Sequence, residues 1–153
     1  MRLNAADGAL VWKADLIGKT PEGRPTGWAG VHPLFYNTAA DPQVFVIGDS
    51  VGAVSPQFGH YPKAGHVANR QGRSVAKFIA MQAAGQELKP IIIDNLCYML
   101  VNNNPREAIA VQFDYKIDEN GVLIQTQIDD NDRRPELWES DLKWVGYMFE
   151  EFA

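Results

Sequence analysis

Apolar and polar positions repeat with two different periods along this chain, and the change falls near residue 90. Before it, Ala64, Val67, Ala68, Gln71, Val75, Phe78, Ile79 and Gln82 recur at three-four spacing, which predicts a helix closed by Gly85. Upstream, Val44-Phe45-Val46-Ile47 is a β-branched and aromatic run between Pro42 and Gly48-Asp49. It predicts a buried strand, of the kind covered on both faces in a parallel sheet. Residues 50 to 63, rich in Gly, Pro and Ser, predict a long loop between that strand and the helix. Residues 1 to 30 are less regular. Ala9 to Trp12 and Lys13 to Ile17 predict a hairpin or a sheet edge, and Gly18 to Gly30 a loop. So ragged an entry points to further chain upstream.

Beyond residue 90 the period shortens to two. Leu96 to Val101 predicts a strand, and Asn102-Asn103-Asn104-Pro105 a turn. Ile109, Val111, Phe113, Tyr115 and Ile117 alternate along a second, longer strand. Asp118-Glu119-Asn120-Gly121 is a hairpin signal, because Asn-Gly tolerates positive φ. Val122 to Ile128 completes an antiparallel meander, and Asp129 to Arg134 predicts a solvated loop. Pro135 suits the first turn of a last helix, with Trp138, Leu142, Val145, Met148, Phe149 and Phe152 on one face. The fold class expected is α+β. A strand-loop-helix segment over 1–89 is followed by the meander and a terminal amphipathic helix over 90–153.

Composition narrows the function more than the fold. The 153 residues suffice for a real core, and 46% hydrophobic with 22% charged residues is ordinary for a globular protein. A formal charge of -5 lacks the basic stripe that a nucleic acid demands. No run approaches the roughly 18 apolar residues of a membrane span. Met1-Arg2-Leu3-Asn4 opens no signal-peptide core, an absence that an internal fragment would share. A lone cysteine, Cys97, excludes an intrachain disulfide and a cysteine metal cluster. His32, His60 and His66 have no zinc spacing, so no metal site is expected.

Candidate chemistry gathers around the strand-loop-helix. A strand ending in Gly48-Asp49 places a carboxylate at its carboxyl end, where open α/β sheets bind ligands. The helix opened by Pro62-Lys63-Ala64-Gly65 offers unpaired N–H groups, the positive end of its dipole and a lysine charge. Such a site suits a ligand that becomes electron-rich, for example a flavin on reduction. The same residues also read as a strand-ending turn beside a solvated lysine, and the pattern alone leaves both readings standing.

Family likeness adds to this. Val44-Phe45-Val46-Ile47-Gly48-Asp49 resembles the second flavin motif of flavoproteins with two dinucleotide-binding domains. The run from Tyr61 to Gly72 (Tyr-Pro-Lys-Ala-Gly-His-Val-Ala-Asn-Arg-Gln-Gly) and Asp94-Asn95-Leu96-Cys97-Tyr98 resemble segments of the flavin-binding subunit of flavocytochrome c sulfide dehydrogenases, relatives of the sulfide:quinone oxidoreductases. The resemblance covers roughly residues 27 to 153. It implies that 1–89 is part of an FAD-binding unit and 90–153 the family's carboxy-terminal meander and helix. It also implies an FAD-dependent oxidoreductase carrying electrons from a reduced substrate, sulfur compounds included, to a c-type cytochrome subunit, in the periplasm. Asp49 is then the aspartate that holds the ribityl chain, Gly48 allows close approach, and Lys63 and Gly65 face the flavin's pyrimidine side. Asn69 and Gln71 match in type only.

One departure bears on substrate. Gly27-Trp28 matches a Gly-Trp-Cys of the family whose cysteine belongs to the redox disulfide, and here Ala29 follows. Alanine forms neither thiolate nor disulfide, so sulfide oxidation is not expected of this position. Cys97, in an apolar strand without a nearby cation, reads as structural. His60 and His66 read as loop histidines, with proton transfer to a flavin as the rarer role. Neither Gly-x-Ser-x-Gly nor Gly-x-Gly-x-x-Gly occurs, so the chain lacks a pyrophosphate cradle. The fragment alone is expected to be inactive, to bind FAD poorly, and to self-associate through apolar surface uncovered on Val44–Ile47 and on the Val67–Ile79 helix. The alternative is a non-catalytic interaction or dimerisation module that kept the fold.

Overall fold

The computed structural model describes residues 15–153, together with the backbone of two short strands, Arg2–Leu3 (β1) and Leu10–Trp12 (β2), which pair antiparallel. Ala9, Lys13 and Ala14, part of the predicted entry hairpin, lie outside the described residues. Ile17–Lys19 (β3) and Pro25–Ala29 (β4) form an antiparallel hairpin, with Ile17 opposite Ala29 and Lys19 opposite Pro25. The expected loop from Gly18 to Gly30 is therefore mostly strand. Its Gly and Thr content serves close approach: a Cβ on Gly30 would lie 3.2 Å from the Gly18 Cα.

The Val44–Ile47 run is corrected as well. It forms no parallel strand. Phe45 makes a single antiparallel bridge to Asn37, the Thr38 N–H donates to Val44 O at 2.9 Å, and the Val46 N–H donates to Tyr36 O at 3.0 Å. Val44 to Val46 are half-buried and Ile47 is exposed. A run buried on both faces needs a strand on each side, whereas this one meets only the segment just before it. Its apolar content goes into packing, with Phe45 against the core.

The helix Gly65–Ala83 (α1) matches its periodic signal. Val67, Gln71, Ser74, Val75 and Phe78 are buried along one line, while Ile79, expected on that face, is exposed. It ends in a Schellman motif. The Gly85 N–H donates to Gln82 O, the Gln86 N–H to Met81 O, and Gly85 takes φ +64. The irregular chain from Val31 to Ala64 wraps this face. Tyr36, Val51, Val54 and Tyr61 close over Val67, Val75 and Phe78 to form the main core. Apolar burial on α1 is thus supplied mostly by loop, and truncating the fully buried Phe78 to Ala would cost about 3–5 kcal/mol.

Asn95–Asn103 (β5), Arg106–Ile117 (β6) and Leu123–Arg134 (β7) form an antiparallel sheet in the order β5-β6-β7. Alternation on β6 divides its labour between two layers. Ala108 and Ala110 face the last helix, while Phe113 and Tyr115 face the loop core beside Phe58 and Tyr61. Gly121, at φ +78, closes the second hairpin, with the Asp118 carboxylate accepting from the N–H groups of Asn120 and Val122. β7 runs on through Asp129–Arg134, predicted as loop. Those polar side chains are mostly exposed, so the apolar pattern fades although the backbone ladder continues. On the outer side of β7, the Gln57 side-chain amide pairs with the Gln125 backbone: its Oε1 accepts from Gln125 N at 2.9 Å and its Nε2 donates to Gln125 O at 3.2 Å.

Pro135–Phe152 (α2) packs Leu137 onto Ala108 and Ala110, with Leu96 and Tyr98 alongside. Leu137 and Met148 are its buried residues, and Trp144 is half-buried. The single apolar face read from the sequence is largely exposed, apart from Met148 and the half-buried Trp138: Leu142, Val145, Phe149 and Phe152 are all exposed. At 100° per residue, Leu137, Trp144 and Met148 share one line and the exposed four share the adjoining one. The apolar arc is wider than the docking surface. The end of α2 is tied to α1 by Arg70, whose Nε lies 3.1 Å from Glu151 Oε1 and whose Nη1 lies 2.6 Å from Asp94 Oδ1. Arg73 and Asn69 also donate to Glu151 O. The architecture is α+β, with α1 and its loops on one side of the meander and α2 on the other. Among the described residues no helix is long and apolar enough to cross a membrane.

Candidate functional site

Gly48, Asp49 and Ser50 form a single 3-10 turn lying against the first turns of α1. Gly48 takes φ +67, and a Cβ there would come 3.2 Å from the Ala68 Cβ, so the position needs glycine on two counts. Its N–H donates to Gln71 Oε1 at 2.6 Å, a side chain that is itself almost fully buried in α1. The turn is therefore fastened to the helix by packing and by a hydrogen bond. Asp49, next along, presents an exposed carboxylate.

Lys63 ties the same turn from the other side. Its Nζ donates to Asp49 O at 2.8 Å and to Val51 O at 2.6 Å, and stands 4.3 Å from the centre of the Trp28 ring. Desolvation lowers the Lys63 pKa, partly offset by the Asp49 charge. Sequence reasoning gave Lys63 to a ligand or to solvent. The structure spends its ammonium on two carbonyl oxygens and an indole face, which makes it a clasp for the loop. Gly65 is the first residue of α1, after the N-cap Ala64, whose side chain makes no capping bond. The first i→i−4 bond of the helix is Ala68 N to Ala64 O, so the N–H groups of Gly65, His66 and Val67 precede the ladder.

Ala29 lies beside this turn. It is buried, bridges Val51 in parallel fashion, and its carbonyl accepts from Gly52 N at 2.8 Å. A Cβ on Gly52 would fall 2.6 Å from that oxygen. Trp28 stacks edge-on with His60 at 6.1 Å. The structure thus gathers Trp28, Ala29, Gly48, Asp49, His60, Lys63 and the start of α1 into one surface. At the start of α1, Gly65 and His66 line a concavity of about 270 Å³ with Trp144, Val145, Met148, Phe149 and Phe152 of α2, and another of about 470 Å³ lies elsewhere, among Leu16, Gly30, His32 and Thr38.

His66 is not a loop histidine. It sits in the first turn of α1, buried, with Nε2 2.5 Å from Asn95 Oδ1 and its ring edge-on to Trp144. Burial lowers its pKa, the Asn95 bond opposing. Cys97 is half-buried and meets the Asn95 amide, whose Nδ2 lies 3.4 Å from its Sγ. Among the described residues no three His, Cys, Asp or Glu side chains gather as a metal set. Gln71 and Asn95 are the residues sequence reasoning left without a role. For Gln71 a signal existed, since an amide at a core-facing helical position must satisfy itself inside. Compared with known proteins, the chain matches no protein-family model and no curated protein.

Proposed function

We propose that this chain supplies the flavin-facing surface of an FAD-dependent oxidoreductase. In it the Asp49 carboxylate accepts hydrogen bonds from the ribityl hydroxyls, and the start of α1 faces the pyrimidine edge. The observation that carries this reading is the exposed Asp49 carboxylate on a turn fastened by Gly48, Gln71 and Lys63 beside an uncapped helix start. The residues fit the group. A carboxylate that accepts only, and N–H groups that donate only, match hydroxyls on one side and a carbonyl oxygen on the other. FAD would supply the two-electron chemistry. The chain's own residues bind and orient: Lys63 and Gln71 hold the turn, Gly48 allows it to lie on α1, and the helix dipole favours negative charge at its start.

In a longer parent, electrons would pass from a reduced substrate through the flavin to a cytochrome-like acceptor. The likeness of residues 27 to 153 to sulfide dehydrogenase flavoproteins supports that order. Ala29 sits beside the same turn without a sulfur atom, which argues against sulfide as the substrate.

Amide chemical-shift mapping of the 153-residue chain tests the reading. Added FAD should move resonances of Gly48–Gly52 and Lys63–Val67 selectively, with a dissociation constant above about 1 μM because the sequence holds no Gly-x-Gly-x-x-Gly to cradle the pyrophosphate. Asp49→Asn should weaken the response at least several-fold. No change at millimolar FAD, or changes elsewhere, would overturn it.

A further inference from the structure

We propose that α2 is a dimerisation helix, in which Leu142, Val145, Phe149 and Phe152 pack against the same four residues of a second copy. The two helices run antiparallel about a two-fold axis level with Tyr147. The inference does not rest on flavin binding, although Val145, Phe149 and Phe152 also border a concavity of about 270 Å³ with Gly65 and His66 at the start of α1.

The stripe has the spacing of a helix-helix seam. Intervals of three, four and three residues separate its members, the pattern of a and d positions in a coiled coil. Leu142 is 58% exposed, Phe149 72% and Phe152 52%, so the seam is bare while the adjoining line of Leu137, Trp144 and Met148 docks on the chain's own sheet and α1. With about 150–250 Å² per large side chain, these exposures leave roughly 400 Å² of contiguous apolar surface. Counting both copies and the flanking residues, a symmetric pair would bury roughly 1,000 Å², at the low end for a specific interface.

The stripe is also complementary to itself. An antiparallel two-fold at residue 147 sets Leu142 of one copy against Phe152 of the other, and Val145 against Phe149, so each phenylalanine meets a smaller side chain. Gly146 and Ala153 border the seam. A Cβ on Gly146 would meet nothing within 4 Å in this chain, although glycine inside a helix costs about 1 kcal/mol against alanine. A second helix approaching closely on that side gives the glycine a purpose. The polar flank of α2, with Glu136, Glu139 and Glu150 against a single Lys143, has the wrong sign for an anionic membrane surface.

Sedimentation equilibrium of the 153-residue chain between about 5 and 500 μM is the test, because an interface this small implies micromolar dissociation. A monomer–dimer equilibrium is expected. Phe149→Glu and Leu142→Glu should each weaken it at least tenfold while leaving the circular dichroism spectrum intact, since both side chains are exposed. Tyr147→Glu, at an aromatic 65% exposed off the seam, and Met99→Glu, on the open sheet, should leave it unchanged. In a Cys97→Ser background, Gly146→Cys should form an intermolecular disulfide readily and Leu142→Cys poorly, since only the former lies near the two-fold axis. Three results would overturn the proposal: a monomer throughout (including one that sediments with lipid vesicles), a dimer indifferent to Phe149→Glu, or cross-linking as efficient at 142 as at 146.

Discussion

His66 carries its acid sensitivity in its surroundings. Burial disfavours the imidazolium, opposed by the Asn95 bond and by the Glu151 and Asp94 charges, while Arg70 acts with burial. The folded pKa is thus below that of the unfolded chain, near 6.5. The unfolded state then binds the proton first, so this contribution to stability is complete above about pH 6.5 and is lost as pH falls below it. Urea midpoints measured from pH 7.5 to 5.0 should decline, and His66→Gln should flatten that decline. Lys63 is the second test at this scale. Lys63→Met removes two charged hydrogen bonds to backbone and should cost about 1–2 kcal/mol, with a change in Trp28 fluorescence. Both residues were visible in the sequence as chemical types. Their partners were not, because Asn95 lies 29 residues from His66, and Val51 reaches Lys63 only once the loop closes.

Elements were legible where a local period carried them. α1 and its Gly85 stop, β6, the Asn120-Gly121 turn and the Pro135 start of α2 follow from spacing and turn chemistry alone. What misled was apolar content without periodicity. Val44–Ile47 looks like a sheet strand, yet the chain bends at Tyr36 with φ 63 and pairs the run locally. Polar content hid strands in turn, at Pro25–Ala29 and at Asp129–Arg134, where hydrogen-bonded backbone lies under mostly exposed side chains. The fastened turn gives the test proper to this scale. Gly48→Ala meets both a positive φ and the Ala68 side chain, whereas Gly59→Ala meets a positive φ of +77 in open space. Gly59→Ala should cost about 1 kcal/mol and Gly48→Ala distinctly more, as read by denaturant unfolding.

Across the whole molecule, the two layers on either side of the meander are joined at Arg70. It meets the chain just before β5 through Asp94 and the last turn of α2 through Glu151, and that hydrogen bond holds the Glu151 carboxyl below the ordinary glutamate range. Arg70→Ala should destabilise the fold by about 2 kcal/mol, since both carboxylates lose their cation, and should speed amide exchange over Met148–Phe152 first. Glu151 adds a second acid-sensitive contribution, present above the unfolded glutamate range and lost as pH falls through it. Gln57, far from this junction, bears on a different hazard. A bare outer strand recruits further strands, and its growth is templated by unpaired rungs. By occupying the Gln125 rung with a side-chain amide, with the acidic run Asp129 to Asp132 beyond, the chain closes β7 to templated addition. Fibril growth under destabilising conditions is thereby steered to β5, and Gln57→Ala should shorten the lag before thioflavin-positive aggregates form.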